Sequence, residues 1–332
     1  MPKDFSSYDS VENSAYERII FYNTENLFHP SNDSVKSDDD FTPSGQYHWT
    51  YSRYYRKISN LGKLFVALGE GNLPAVIGLC EIENRNVLSD ILTKSILKNH
   101  RYKIIHKESP DLRGIDVALL YDPLKFEPEV YKFIEINNNA IPEFVTRDIL
   151  YISGIFNESA HCKIFVNHWP SRRGGKLSSD KKRIHVARLL KQYIDICYTE
   201  DIQSNIIIMG DFNDEPVDSS LKLVLEAGDP GDHKNVYSLY NLMYPYYRKG
   251  EGTHFRINNF AEASVLDQII VSKAIYFGEN GIKLKNNKAI IYKNEFIVDK
   301  KNGRPLRTYQ GLKYLGGFSD HLPVYTDIQI IN

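Results

Sequence analysis

The sequence is short of cysteine, of net charge and of long apolar runs, and each shortage removes a class of protein. Three cysteines, Cys80, Cys162 and Cys197, occur in 332 residues. They have neither an even count nor metal-ligand spacing, which argues against a disulfide framework and a thiolate zinc site. They read as core residues. Lysine and arginine number 41 against 42 acidic residues, a net charge of −1, so affinity for a polyanion has to come from a local patch. No apolar run reaches the roughly 18 residues of a membrane span. The opening MPKDFSSYDS lacks the charged-then-apolar pattern of a signal peptide, which fits a soluble cytoplasmic protein or an exported one with its signal removed. No linker rich in Pro or Gly and no repeat interrupts the chain. One domain over 1–332 is expected, with its core at about 18–330.

What is present is a series of short apolar runs: 18–23, 75–80, 102–106, 115–121, 148–156, 163–169, 205–210 and 265–272. Bounded by Gly, Asp and Asn, these read as buried strands. Between them lie helical patterns. Ile58, Leu61, Phe65 and Leu68 follow the 3-to-4 spacing, as do Val87, Ile91 and Ile96 within 86–98. The longest pattern runs from Val186 to Cys197, with Ser178 or Ser179 as N-cap. Strands and helices in mixed order predict an α/β or α+β sandwich with hairpins as well as crossovers. Residues 29–53 and 278–317 read as insertions over that core, either covers or surface. The triplet Asp38-Asp39-Asp40 reads as a solvated face.

Polar residues recur where the strands end. IIIMGDFNDEP runs an apolar strand into Asp211 and Asn213; FYNTENLF ends another with Asn23, Glu25 and Asn26; GLCEIEN gives Glu81 and Glu83; VNHWP gives His168. A last strand follows GFSDHLPV, with Ser319, Asp320 and His321. Side chains at the end of a packed strand start from a fixed origin, which suits catalysis. It also suits ordinary turns and caps. Asp267, between Leu266 and Ile269-Ile270-Val271, decides more, because an unpaired carboxylate is costly to bury. It needs a partner, and a histidine is the natural one.

The ordered set N-x-E, C-E, N-H-W-P, G-D-F-N, L-D-Q and S-D-H resembles the endonuclease/exonuclease/phosphatase superfamily, which includes DNase I, abasic-site endonucleases, neutral sphingomyelinases and inositol polyphosphate 5-phosphatases. The resemblance implies a four-layer α/β/β/α sandwich and an Mg²⁺-dependent phosphoesterase, with Mn²⁺ or Ca²⁺ as alternatives. It matches Glu81 to the family's metal-binding glutamate. Asn23 and Glu25 match the N-x-D pair, with Glu for Asp, leaving open whether Glu25 meets the ion directly or through water. Asp211 and Asn213 match the residues that position water or phosphate. His321 and Asp267 form the implied dyad, His321 serving either as base or as protonated phosphate ligand. His168 resembles the histidine that serves the leaving group, with Glu108 in HKESP as its carboxylate partner. Asp320 is implied as a metal or water-orienting contact. Arg147 matches a phosphate-contacting arginine, or else is a surface ion pair.

The substrate is less legible. The basic stretch 171–183, with Arg172 and Arg173, directly follows His168 and points to an anionic substrate or to a solvated helix start. Aromatic patches at 47–57 and 240–255 suit base stacking, lipid headgroups or packing. A nuclease acting on phosphodiesters is the first expectation, and a phosphatase or phosphodiesterase for a small or lipid-linked phosphate the second. No protein partner is inferable.

Overall fold

The structure, a computed structural model, describes residues 16–331 apart from 137–144, 173, 174, 233, 235 and 257–262. Every apolar run of the sequence forms a strand: β1 (Glu17–Leu27), β2 (Val76–Ile82), β3 (Lys103–His106), β4 (Asp116–Tyr121), β6 (Ile149–Phe156), β7 (Ala160–His168), β8 (Ile206–Asp211) and a later strand Asp267–Ser272. One further long strand, β5 (Phe126–Ile134), was not legible. It carries Pro128 and alternates with exposed charged residues, and it forms the outer edge of its sheet with a register shift between Pro128 and Val130. Proline is tolerated there because an edge has no ladder bond to lose on its open side.

The strands make two sheets. In the first, Ile282–Leu284, the final strand Val324–Ile330, β1, β2, β4 and β3 lie side by side; in the second the order is β5, β6, β7, β8, Asp267–Ser272, Leu239–Asn241 and Ala227–Gly228. The two sheets pack face to face. Side-chain alternation shows how the layers are built. Ile207 and Met209 of β8 join the core shared by both sheets, whereas Ile206 and Ile208 join a second core beneath helix α3 (Lys176–Glu200). On the other side, α1 (Tyr51–Gly69) turns Ile58, Leu61, Phe65 and Leu68 into the first core beside α2 (Arg85–Lys94). The result is the expected order of helix, sheet, sheet, helix. Gly78 of β2 permits the close approach, since a Cβ there would stand 2.9 Å from Met209 Sδ in the facing sheet. The three cysteines are free and buried, and no helix among the described residues is long and apolar enough to cross a membrane.

Four local expectations are corrected. The helical pattern over 86–98 breaks at Ser95, whose Oγ donates to Ile91 O and accepts from Leu97 N, so a 3-10 turn Ile96–Asn99 follows α2. Helix α3 starts ahead of Ser178 and Ser179, with Gly175 as its N-cap; the Ser179 hydroxyl lies inside the first turn and donates to Gly175 O at 2.8 Å. The insertion-like segment 29–53 is shorter by its last three residues, which begin α1. The rest is packed: Phe41 stacks between Phe28 and Tyr47 at 4.5 Å each, and the buried Trp49 donates to Phe28 O. Asp38 is not a solvated residue like Asp39 and Asp40. It is 1% exposed and accepts the Asp33 amide, because it closes the turn that carries this cover.

Beneath the second sheet, fully buried Arg183 of α3 meets fully buried Asp214 at 2.7 Å. Removing one partner of a buried pair strands the other charge, at about 3–5 kcal/mol. Arg183→Ala is therefore expected to lower the free energy of unfolding by about that amount, read from the urea midpoint at constant m-value; a change below about 1 kcal/mol would show that the pair does not hold α3 to the sheet.

Candidate active site

The topology brings the polar strand ends to one edge of the molecule. β1 and β2 run parallel, as do β7 and β8, so each pair finishes on the same side. Asp267 opens a strand antiparallel to β8 and stands opposite Asp211 in register, while His168 stands opposite Asp211 on its other flank. Asp211 thus sits between them. In the motif, Gly210 is required by the neighbouring strand, since a Cβ would lie 2.5 Å from Asn167 O.

Side chains from both sheets converge on the Asp211 carboxylate. Asn23 Nδ2 donates to Oδ2 at 3.0 Å, and the Asn213 amide donates to Oδ1 at 2.9 Å. His168 Nε2 is 3.8 Å and His321 Nε2 3.9 Å from Oδ2. Glu81 Oε1 lies 3.9 Å from His168 Nε2. Its other oxygen accepts the Asn26 amide at 2.7 Å, which fixes the direction of the carboxylate. Several of these residues sit on left-handed backbone: Glu25, Asn26, Glu81 and Asn213 have φ between 49° and 60°. Register shifts interrupt the pairing between Asn23 and Leu27 and between Cys80 and Ile82. Such bulges re-aim side chains at the ends of strands, and each left-handed residue costs about 1–3 kcal/mol.

His321 and Asp267 form the expected pair, with Nδ1 2.6 Å from Oδ2 and Asp267 fully buried. Burial works against the imidazolium, but Asp267, Asp211 and Asp320 together outweigh it and hold His321 well above the ordinary histidine value. His168 is the opposite case. Burial and the adjacent Arg147 hold it well below that value, hence neutral. Burial also raises Asp211 to about 6, with His321 opposing. Two neighbouring imidazoles thus carry different charges, the condition under which acid and base roles separate.

The expected partners of His168 change. Glu108 is exposed and lies 3.9 Å from Lys36; it does not face His168. Buried Arg147 does, with Nη2 2.7 Å from Nε2, and its Nη1 pairs with Asp111 at 3.1 Å. Arg147 is therefore no surface ion pair. Asp111 lies three residues beyond Glu108 in the same loop, and its loop position gave no signal. Glu25 is also redirected, since its carboxylate accepts the Thr308 and Tyr309 amides at 2.6 and 3.3 Å. Burial, reinforced by Asp320, raises it to about 7. Buried Lys57 donates to Glu25 O and Thr308 Oγ1. Glu25 thus positions a neighbouring hairpin through both of its carboxylate oxygens.

Arg172 is engaged structurally. It donates to Asn213 O at 2.6 Å and pairs with Asp218 and Asp214, holding the loop after β8. Arg173 lies outside the described residues. Asp320 is near the centre, 3.9 Å from His254 Nε2. His254, whose ring is 4.7 Å from that of His321, went unrecognised because an isolated His in GTHF has no local signature.

For a divalent cation the donor set is suitable: Glu81 Oε1 with the Asn23 and Asp211 oxygens are hard ligands of the kind Mg²⁺ prefers. Two other groups, Asp211–Asp267–His321 and His254–Asp320–His321, each place one ligand atom per residue within 4.8 Å of the others. In the first, Nδ1 of His321 is already bonded to Asp267, which leaves Nε2 as its open ring nitrogen.

Residues 18–330 match the model of the Endonuclease/Exonuclease/phosphatase family. No curated protein matches the chain. Among solved structures, humanized D. rerio TDP2 with 14 mutations is 13% identical at a TM-score of 0.59, covering 95% of this chain and 99% of that one. A Bacteroides thetaiotaomicron mannosyl-6-phosphatase is 16% identical at 0.59, covering 94% and 99%. The human Nocturnin catalytic domain, with bound sulfate, is 16% identical at 0.55, covering 95% of each. At these identities the likeness establishes the fold, DNase I-like with two large mixed sheets.

The His321–Asp267 pair has a direct readout. In Asp267→Asn the imidazole loses its opposing charge, and its titration midpoint, followed by NMR in chelator, is expected to fall below the wild-type value; an unmoved midpoint would mean that Asp267 does not govern His321.

Proposed function

Because the chain belongs to the endonuclease/exonuclease/phosphatase family, it is a metal-dependent phosphoester hydrolase, and we propose that it cleaves phosphodiesters by in-line attack of water, with nucleic acid as its substrate class and Mg²⁺ as its metal. The observation that carries this reading is the convergence of Asn23, His168 and His321 on the Asp211 carboxylate. Glu81, Asn23 and Asp211 would hold the ion. Bound there, Mg²⁺ supplies positive charge to the phosphoryl oxygens as they gain electron density.

The remaining work falls to the protein. Asp211, with Asn23, His168 and His321 gathered on its carboxylate, is placed beside the ion to orient the attacking water and accept its proton. Asn213 orients it through the backbone, with its own side chain fixed on Trp169 O at 3.0 Å. His321 Nε2–H, kept charged by Asp267, donates to a phosphoryl oxygen. Arg147 and neutral His168 face the leaving group, Arg147 contributing the charge that His168 lacks. Asp320 holds water beside His321.

Beside this centre lies a cavity of about 270 Å³ walled by Glu25, Asp320, Phe41, Tyr47, Trp49 and Tyr309. Aromatic walls next to a phosphate suit a base. They also support a second reading, a phosphatase for a small phosphorylated ring, and the structural engagement of Arg172 favours it over a long basic track. The mannosyl-6-phosphatase relative is of that kind.

Purified protein with Mg²⁺ should be offered DNA, RNA, bis(4-nitrophenyl) phosphate and 4-nitrophenyl phosphate. Hydrolysis of diesters, abolished by EDTA and restored by Mg²⁺, is expected; activity on the monoester alone would replace this reading with the second. His321→Ala and Asp211→Asn should each lower kcat by about 10²–10⁴-fold, and full activity in either would remove the proposed mechanism.

A further inference from the structure

We propose that His254, Asp320 and His321 form a second cation site, one that takes a zinc-type transition ion and inhibits the enzyme when filled; the inhibition, though not the binding, rests on the reading above. Each of the three residues offers one ligand atom within 4.8 Å of the others. His254 Nε2 stands 3.9 Å from Asp320 Oδ2, and its ring centre is 4.7 Å from that of His321. The His254 and Asp320 side chains are 24% and 27% exposed, so an ion in solution can reach them.

The main chain delivers His254 to this place. Thr253, fully buried, accepts the Leu266 and Asp267 amides on its hydroxyl at 3.2 and 3.1 Å, and its carbonyl accepts the Leu322 amide at 2.8 Å. It therefore ties the start of the Asp267 strand to the loop that carries His321. Gly252 permits this approach, since a Cβ there would lie 2.6 Å from Ser264 N. The next residue, His254, pairs with His321 in an isolated antiparallel bridge. On the other side the Ser319 hydroxyl accepts the His321 amide at 3.0 Å and donates to Asn23 O at 2.7 Å. Both imidazoles thus start from fixed backbone.

The donor set differs from that of Glu81, Asn23 and Asp211. Two imidazoles and a carboxylate suit Zn²⁺ and neighbouring transition ions, whereas Mg²⁺ keeps to oxygen. Three protein ligands with one position left for water is the coordination zinc adopts in open sites. Asp267 holds Nδ1 of His321 at 2.6 Å, and a carboxylate behind a ligating imidazole fixes its tautomer and strengthens the bond at Nε2. Asp211, Asp267 and Asp320 act on His321, while Arg307 and Lys57 act on Asp320. With His321 neutral, those carboxylates outnumber the cations. Ligation breaks Nε2–H, releases the proton to solvent and forms the bond from Nε2 to the ion. That proton is the one offered to the phosphoryl oxygen, so the filled site removes the donor.

Zn²⁺ binding reads the site without catalysis. Zn²⁺ is titrated by calorimetry into chelator-stripped protein kept in excess Mg²⁺, with the imidazole signals followed by NMR. One Zn²⁺ should bind per chain and shift the ring signals of His254 and His321, while Mg²⁺ alone leaves His254 unmoved. His254→Gln should weaken Zn²⁺ by about tenfold or more, because losing even an indirect partner of a metal ligand costs that much. In a kinetic arm, Zn²⁺ should inhibit Mg²⁺-supported hydrolysis by the wild type. His254→Gln should keep the Mg²⁺ activity and need about tenfold more Zn²⁺ for half-inhibition. Unchanged Zn²⁺ affinity in the variant overturns the proposal, as do wild-type His254 signals unmoved at saturating Zn²⁺, a result that requires no variant. Undiminished hydrolysis with the site filled overturns the inhibition. If no phosphoester is hydrolysed yet Zn²⁺ binds through His254, the catalytic reading fails and the site stands.

Discussion

Asp211 is a carboxylate 2% exposed at the junction of two sheets, and the cost of burying it organises the whole edge. An isolated ion there would be expelled or protonated. Instead Asn23 reaches it from the first sheet, and His321 arrives ahead of the final strand of that sheet, while His168 and the Asn213 amide come from the second. One carboxylate thereby ties the sheets together at the end where their parallel strands finish. Asp267 completes the balance. Facing Asp211 in register, it would repel that neighbour if nothing lay between them, and the His321 imidazolium supplies the intervening charge.

That arrangement demands strained backbone. Glu25, Asn26, Glu81 and Asn213 occupy the left-handed region at the points where strands turn into site. The surrounding hydrogen bonds show how the strain is sustained: Asn26 N on Glu81, Glu25 N on Asn23 Oδ1, Asn213 N on Asp211. Three of the four strained residues donate their amide to a neighbouring site side chain, and the fourth, Glu81, accepts one of those amides, so loosening one residue loosens another. The network extends to Lys57, buried against Glu25 and Thr308. Burial lowers its pKa while Glu25 opposes that. A helix, a strand end and a distant hairpin are therefore coupled to the same centre.

The strands were legible because an apolar run bounded by Gly or Asp has few alternatives, and β5 was not because Pro128 and exposed charges disguise an edge. At the site, residues placed at the ends of strands were legible for a related reason: a polar group just before, at or just after the end of a buried strand has its position set by its own chain. Asn23, Glu81, His168, Asp211, Asp267 and His321 are of this kind, and they meet. Glu25 and Glu108 were placed by the family resemblance and Arg172 by its proximity to His168 in sequence, but each sits where long flexible side chains choose among tertiary partners. Glu108 chose Lys36, Glu25 the 308–309 amides, Arg172 the loop after β8. Asp111 and His254 had no local pattern and became visible only when the chain brought them beside Arg147 and His321.

The division between strand ends and covers bears on what the enzyme distinguishes. A scaffold of this type hosts many substrates, and specificity has to reside in what surrounds the shared centre. Here the surroundings are two segments that are poor in regular structure: 29–50, which brings Phe41, Tyr47 and Trp49, and 299–318, which brings Arg304, Arg307 and Tyr309. They meet directly, Tyr309 donating to Tyr47 O at 2.9 Å and its ring lying 4.9 Å from that of Tyr47. Neither is a loose flap, since one is locked by the buried Trp49 and the other by Glu25 and Lys57. A pocket held that firmly recognises by shape that is already formed, so less ordering entropy opposes binding.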